Sequence, residues 1–251
     1  MIPDDAKPRY DRDGFVVVRN FLDRDALQLL EENVNRYIRE VVPHLPAGDA
    51  FYHDRSKPET LKQLQHMGQD SFFDGYRRDE QWKELAELLI GEHVEAQEPE
   101  WFNKPPGTEH PTPPHQDNYY FCLRPANVAT LWLALDAVDE ENGCLRYVVG
   151  SHRRGIRSHA ATKVLGFSQG ITDHGDDDVR NEQTILLEPG DLVAHHGETI
   201  HRADPNRTAS RHRRAFAMVF RGISCHRDEA AYARYLNAVQ QQHSEFSSKT
   251  S

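Results

Sequence analysis

From Gly91 onward the chain is cut into short β-like runs by Pro, Gly, Asn and Asp, and this texture limits the fold more than any other feature. The runs fall at 94–104, 117–123, 128–135, 145–149, 184–187, 192–196 and 213–221. Such spacing suits an antiparallel sandwich or jelly roll. Ahead of it lie a strand at 14–18 and a helix in which Ala26, Leu27, Leu30, Val34, Tyr37, Ile38 and Val41 recur at three- and four-residue steps. Asp23 is its expected N-cap and Pro43 closes it. A second helix over 79–90 puts Trp82, Leu85, Ala86 and Leu89 on one stripe, a third is expected over 228–241, and 243–251 should fray. No internal repeat, Gly/Ser linker or low-complexity tract divides the chain. The expectation is one domain over 1–251, mainly β with flanking helices: N-terminal helices at about 23–90, a β core at about 94–223 and a C-terminal helix at about 228–241.

Composition removes several classes of function. The longest apolar runs, 15–18 and 131–135, are far too short to cross a bilayer. The first residues carry acids where a secretion signal needs basic and then apolar ones, so a cytoplasmic protein without membrane contact is expected. Cys122, Cys144 and Cys225 are scattered and contain no CxxC pair, which argues for free thiols. A formal charge of −10 makes nucleic acid an unsuitable partner and leaves small molecules. The oligomeric state is not legible. One count is unusual: 15 histidines, many of them between His110 and His226.

The sharpest local feature is His115-Gln116-Asp117. In an extended segment residues i and i+2 share a face, so imidazole and carboxylate would project together as half of a metal site. Two histidines and one carboxylate make the facial triad of non-heme Fe(II) oxygenases, with positions left open for oxygen and substrates. His195, His196 and His201 are candidates for the missing ligand. Neighbours at 195 and 196 point to opposite faces of a strand, so at most one of that pair can face the metal. The arginines at 211, 213 and 214 follow, and a guanidinium fork is suited to clamping a carboxylate.

From about Tyr10 to Ile223 the chain resembles the phytanoyl-CoA dioxygenase family of Fe(II)- and 2-oxoglutarate-dependent oxygenases. Landmarks in order carry the resemblance: DGFVVVRNFL, FNKPPG, HQDNYYF, LWLALDAVDEENGCLRYVVGSH, PGD with IHRADPNRT, and RRAF. It implies a double-stranded β-helix (a cupin-like jelly roll) with His115, Asp117 and His201 as iron ligands. It further implies that Arg213 pairs with the distal carboxylate of 2-oxoglutarate, with Lys104 and Trp132 beside that cosubstrate. The family's clamp usually stands eleven residues after the second histidine, which here is His212; one extra residue in loop 204–212 restores Arg213, two before Ala215. The implied reaction is a hydroxylation using oxygen and releasing succinate and carbon dioxide. Asp117 favours it over halogenation, whose enzymes lack the carboxylate.

Two rivals remain: a non-catalytic metal-binding barrel, and a serine hydrolase using Gly166-Phe167-Ser168-Gln169-Gly170 with Asp191 and His201. The hydrolase elbow needs a helix after its serine, and the polar run that follows has no apolar stripe. No nucleotide-phosphate motif exists. Asn206-Arg207-Thr208 reads as a loop bonding its own backbone, and Asp176 to Asp178 as a solvated turn. No acid occurs between Asn142 and Thr172, where Arg146, Arg153, Arg154, Arg157 and Lys163 are basic, so a small, anionic substrate is expected. Gln97, Asn118, Tyr119, His159, Phe167 and Gln169 are the candidate pocket residues.

Overall fold

The computed structural model describes residues 2–46, 48–162 and 169–248. In chain order the helices are α1 (Ala6–Asp13), α2 (Arg24–Glu40), α3 (Ser71–Tyr76), α4 (Glu80–Ile90), α5 (Asn118–Phe121), α6 (Asp176–Arg180) and α7 (Glu229–Ser248). The strands are β1 (Phe15–Val18), β2 (Ala50–Tyr52), β3 (Leu61–Leu64), β4 (Val94–Ala96), β5 (Glu100–Lys104), β6 (Thr112–His115), β7 (Leu123–Arg124) and β8 (Val128–Ala134). They continue as β9 (Leu145–Val148), β10 (His159–Ala161), β11 (Gln169–Ile171), β12 (Glu182–Ile185), β13 (Leu192–His196), β14 (His201–Ala203), β15 (Arg213–Gly222) and β16 (His226–Arg227).

A large antiparallel sheet runs β1-β13-β8-β15-β5-β3-β2, with β4 paired to the far part of β15. A smaller one runs β12-β9-β14-β6. The two sheets face each other as the double-stranded β-helix (jelly roll) that was expected.

The large sheet is buried on both faces, which is why Val128–Ala134 reads as one apolar run. Leu131, Leu133, Phe216, Met218 and Phe220 face away from the small sheet and join Leu30, Val34, Tyr37, Trp82, Leu85 and Leu89 of the helices in one core. Trp82 meets Phe216 edge-on, with centroids 5.8 Å apart. Each such side chain, fully buried, contributes about 1.5–3 kcal/mol. The alternate residues, Trp132, Ala134, Val193, Ala215 and Ala217, face inward with Leu145 and Tyr147 of the small sheet.

Local chemistry sets the helix starts as expected. The Asp23 carboxylate accepts the N–H of Ala26, and Asp79 accepts those of Gln81 and Trp82. Other expectations need correction. The run 94–104 is two strands, because Pro99 between them has no N–H to donate. The run 117–123 is not extended: α5 forms instead, its first N–H donated to Gly197 O and its end held by the Asn118 side chain, which bonds both the N–H and the carbonyl of Leu123. Strand 184–187 begins earlier, at Glu182, and the last helix reaches Ser248 rather than fraying from 243. The three cysteines are free, and no helix among the described residues is long and apolar enough to cross a membrane.

Candidate metal centre and cosubstrate pocket

Strand pairing brings the two ligand histidines together. His115 ends β6 and His201 opens β14, and the two are direct register partners. The Nδ1–H of His115 donates to Pro113 O (2.8 Å) and that of His201 to Thr199 O (3.0 Å), which turns the Nε2 of each ring toward Asp117. Asp117 arrives by a different route from the alternation expected. Its backbone is already helical (φ −60°, ψ −37°) at the entry to α5, and this turn points its Oδ1 back to 3.5 Å from each Nε2. Metal bonds of roughly 2.0–2.2 Å set adjacent ligands about 3 Å apart, so the donor set fits one first-row ion. Among the described residues it is the one group whose ligand atoms gather this closely, all within 4.8 Å of one another.

The second carboxylate oxygen is fixed from behind. Thr130 Oγ1 donates to Asp117 Oδ2 at 2.7 Å, and His195 Nε2 lies 3.0 Å from it. An ionised carboxylate only accepts, so His195 carries its proton on Nε2 and its Nδ1 accepts the Tyr147 hydroxyl at 2.9 Å. Burial works against the Asp117 charge, yet the imidazoles of His201, His195 and His115 hold its carboxyl well below the usual range. The histidine pair divides as strand geometry requires: His195 faces inward, while His196 packs against Tyr10 and His152 on the other face. Sequence reasoning did not assign roles to Thr130 or Tyr147; a lone hydroxyl in the apolar run of β8 was the available signal.

The triad opens into a cavity of about 940 Å³, lined also by Lys104, Trp132 and Arg213. Arg213 opens β15 as the register partner of Lys104. Its guanidinium carbon lies 5.2 Å from the centre of the Trp132 ring, close enough for cation–π attraction. Arg213 is buried, its Nε has no hydrogen-bond partner, and no carboxylate pairs with it among the described residues. Burial pushes its guanidinium down to about 10. By contrast Arg211 is paired with Asp139 and Glu141, and Arg214 with Asp136 and Glu31. Lys104 Nζ donates to Asp204 O at 2.6 Å, and burial, followed by the adjacent Arg213, lowers its ammonium well below the ordinary value. Gly143 (φ +96°) makes room here: a Cβ would come 2.7 Å from Asp204 O and 2.8 Å from Lys104 Cδ.

The expected substrate residues fare differently. Gln97 is exposed beyond β4, and Asn118 is occupied in closing α5. Tyr119 stacks on His159 (4.0 Å), whose Nε2 accepts the N–H of Gln116. Gln169 is buried, its carbonyl accepting the Tyr120 hydroxyl. None of these five lines the cavity, and Phe167 lies outside the described residues. The wall is instead built by His53, Lys62, Gln63, Glu100, Phe102 and Tyr120, among others.

Two of the five residues of the basic segment are compensated. Arg146 pairs with Asp204 and Glu140, and Arg157 with Asp173 and Asp178, acids drawn from outside it. Arg153 and Arg154 are exposed, and Lys163 lies outside the described residues. Of the hydrolase relay, Ser168 lies outside the described residues, Asp191 binds Arg19, and His201 Nδ1 is bonded to a backbone carbonyl. Asn206 is buried and bonds Lys104 O, Arg211 O and Thr208, as its loop reading required.

Residues 10–215 match the family model for phytanoyl-CoA dioxygenase (PhyH). The chain is 28% identical to the peroxisomal phytanoyl-CoA dioxygenase of Rattus norvegicus over 234 residues, covering 86% of this chain and 65% of that protein. It thus spans about two thirds of that relative's length. Among solved structures, EvdO2 from Micromonospora carbonacea var. aurantiaca complexed with 2-oxoglutarate is similar at TM-score 0.72 and 21% identity, covering 90% of this chain and 93% of that one. The epimerase SnoN in complex with Fe3+, alpha ketoglutarate and nogalamycin RO is similar at TM-score 0.71 and 21% identity, covering 88% and 84%.

Proposed function

The chain belongs to the phytanoyl-CoA dioxygenase family, within the superfamily of iron and 2-oxoglutarate oxygenases, and from that premise we propose that it hydroxylates a small organic substrate. One observation carries the proposal: a single cavity has the His115, Asp117, His201 donor set in its wall together with a buried arginine that lacks an acid.

In this reading His115, Asp117 and His201 hold Fe(II), and Arg213 receives the distal carboxylate of 2-oxoglutarate through its planar fork. When bound, iron chelated by the keto acid supplies oxygen activation, with one oxygen atom leaving in succinate and the other entering the substrate as carbon dioxide is lost. Trp132 keeps the guanidinium plane in place from one side. Lys104 adds a donor beside it, anchored by Asp204 O. Thr130 and His195 fix the orientation of Asp117, so that Oδ1 stays aimed at the two imidazoles. Phe102, Tyr120, Phe121 and Val219 give the wall apolar surface that excludes water from the reacting centre.

Arg146 and Arg157, two of the five basic residues that pointed to an anionic substrate, are paired with acids, so size and the cavity wall are the better guides. The test is succinate formation from 2-oxoglutarate with Fe(II), ascorbate and oxygen. Succinate that requires iron and disappears in Arg213→Ala is the expected result. A protein that binds iron yet neither binds nor consumes 2-oxoglutarate would instead be a non-catalytic barrel.

A further inference from the structure

One half-buried carboxyl in the cavity wall takes no part in holding the metal or the cosubstrate. Glu100 opens β5 and shares its cavity face with Phe102 and Lys104. Its register partner is Ala217, which is itself paired with Trp132. Two residues further along β15, Val219 pairs with Thr130, whose hydroxyl binds Asp117. Glu100 therefore stands part-way between the level of Arg213 and that of the metal ligands, and the methyl group of Ala217 leaves open space beside it.

Its bonding is incomplete. Oε2 accepts one hydrogen bond, from Gln63 Nε2 at 3.2 Å, and among the described residues no other hydrogen bond and no ion pair reaches the carboxyl. Burial, helped by the nearby Asp117 charge, pushes Glu100 up to about 7. A carboxylate facing a cavity, partly withdrawn from water and with a single neutral partner, is under-compensated, and a cationic group of a bound molecule compensates it best. The two cations Arg213 and Lys104 stand at the cosubstrate end, four residues along β5 from Glu100.

We infer that Glu100 and Gln63 form the substrate anchor of this cavity and that the substrate carries a protonated amine, which the Glu100 carboxylate receives. Phe102 and Tyr120 then seat the apolar part of that molecule. The inference rests on the oxygenase reading above and makes Glu100 a specificity residue rather than a group that takes part in hydroxylation.

The test uses protein loaded with Fe(II) and 2-oxoglutarate and two matched sets of probes: cyclohexylmethylamine, cyclohexanecarboxylate and cyclohexylmethanol, then hexylamine, hexanoate and hexanol. Succinate release and products heavier by one oxygen atom are measured for each. The wild type should favour the amine of each set by about tenfold in kcat/KM, the size of one charge-assisted hydrogen bond. Glu100→Gln should erase that preference through KM, and Glu100→Asp should retain part of it. Gln63→Leu, which leaves the carboxyl in place, should weaken it. Thermal unfolding and 2-oxoglutarate binding by Glu100→Gln report that the variant is folded. Best turnover with an acid or alcohol, equal or absent response to all three classes, or an amine preference unchanged in Glu100→Gln overturns the assignment. Failure of the Fe(II)-loaded wild type to bind 2-oxoglutarate overturns the oxygenase reading instead.

Discussion

Arg211, Arg213 and Arg214 stand within four positions of one another, and their surroundings rather than their chemistry separate them. Arg211 and Arg214 each hold two carboxylates, whereas Arg213 points into the cavity over Trp132 without one. Truncating one partner of a buried charge pair costs about 2–5 kcal/mol, so Arg213→Ala should weaken 2-oxoglutarate binding by that amount. Calorimetry on oxygen-free, Fe(II)-loaded protein checks this, and Arg211→Ala and Arg214→Ala should change the affinity little. A larger loss in either neighbour would move the clamp. His195 gives a second prediction at this scale. Because its Nε2–H and the Thr130 hydroxyl both hold Asp117 Oδ2, His195→Phe should lower iron affinity about 10–100-fold while leaving the three ligands in place. Metal titration followed by equilibrium dialysis measures it; wild-type affinity would show that Thr130 alone suffices.

Elements, in turn, depend on which of two faces a residue occupies. Phe216 in β15 lies under α3 and α4, touching Phe73, Tyr76 and Trp82, while its neighbours Ala215 and Ala217 join the inner core between the sheets. Phe216→Ala should cost about 3–5 kcal/mol in urea unfolding, because a fully enclosed site cannot collapse around the gap. Asp79→Ala, which removes the acceptor for two N–H groups at the start of α4, should cost about 1 kcal/mol. A ratio reversed between these two would contradict the view that packing on the sheet, more than helix initiation, holds the helical layer in place. Both helices on this layer were legible because their apolar spacing and caps are local signals. The turn at α5 was not, since it is held by the distant Gly197 O and by a side chain that reaches five residues ahead.

At the scale of the whole molecule, half-buried histidines should make stability depend on acid. Burial pushes His196 and His159 each down to about 4, against an ordinary value of 6.5. Between those two pH values the unfolded chain binds protons at these rings and the folded chain does not, so stability rises with pH through this window and falls as acid is added. Below about 4 both states are protonated and the dependence from these groups ends. Chemical denaturation from pH 7 to 4.5 should show this slope, and His196→Gln should reduce it by roughly one proton. An unchanged slope in the variant would mean that His196 titrates alike in both states.

Local patterns in the sequence determined a good deal of this protein. The broken β texture after Gly91 gave a mainly β core, the helical stripes gave its covering layer, and the ordered landmarks around His115, Asp117 and His201 pointed to the family. Those signals are local or depend on order along the chain. The cavity wall was decided only by the tertiary structure. Gln97, Asn118, Tyr119, His159 and Gln169 neighbour the metal motif or its loop in sequence, yet turn away from the cavity because strand register and the α5 turn orient them elsewhere. Glu100 and Gln63, far from the motif along the chain, enter it because β3, β5 and β15 pair side by side. Arg146 and Arg157 of the basic run after Asn142 likewise found acids across the fold. Which side chains share a cavity, and which charges remain without a partner inside it, depends on contacts between distant segments, and no local pattern encodes those.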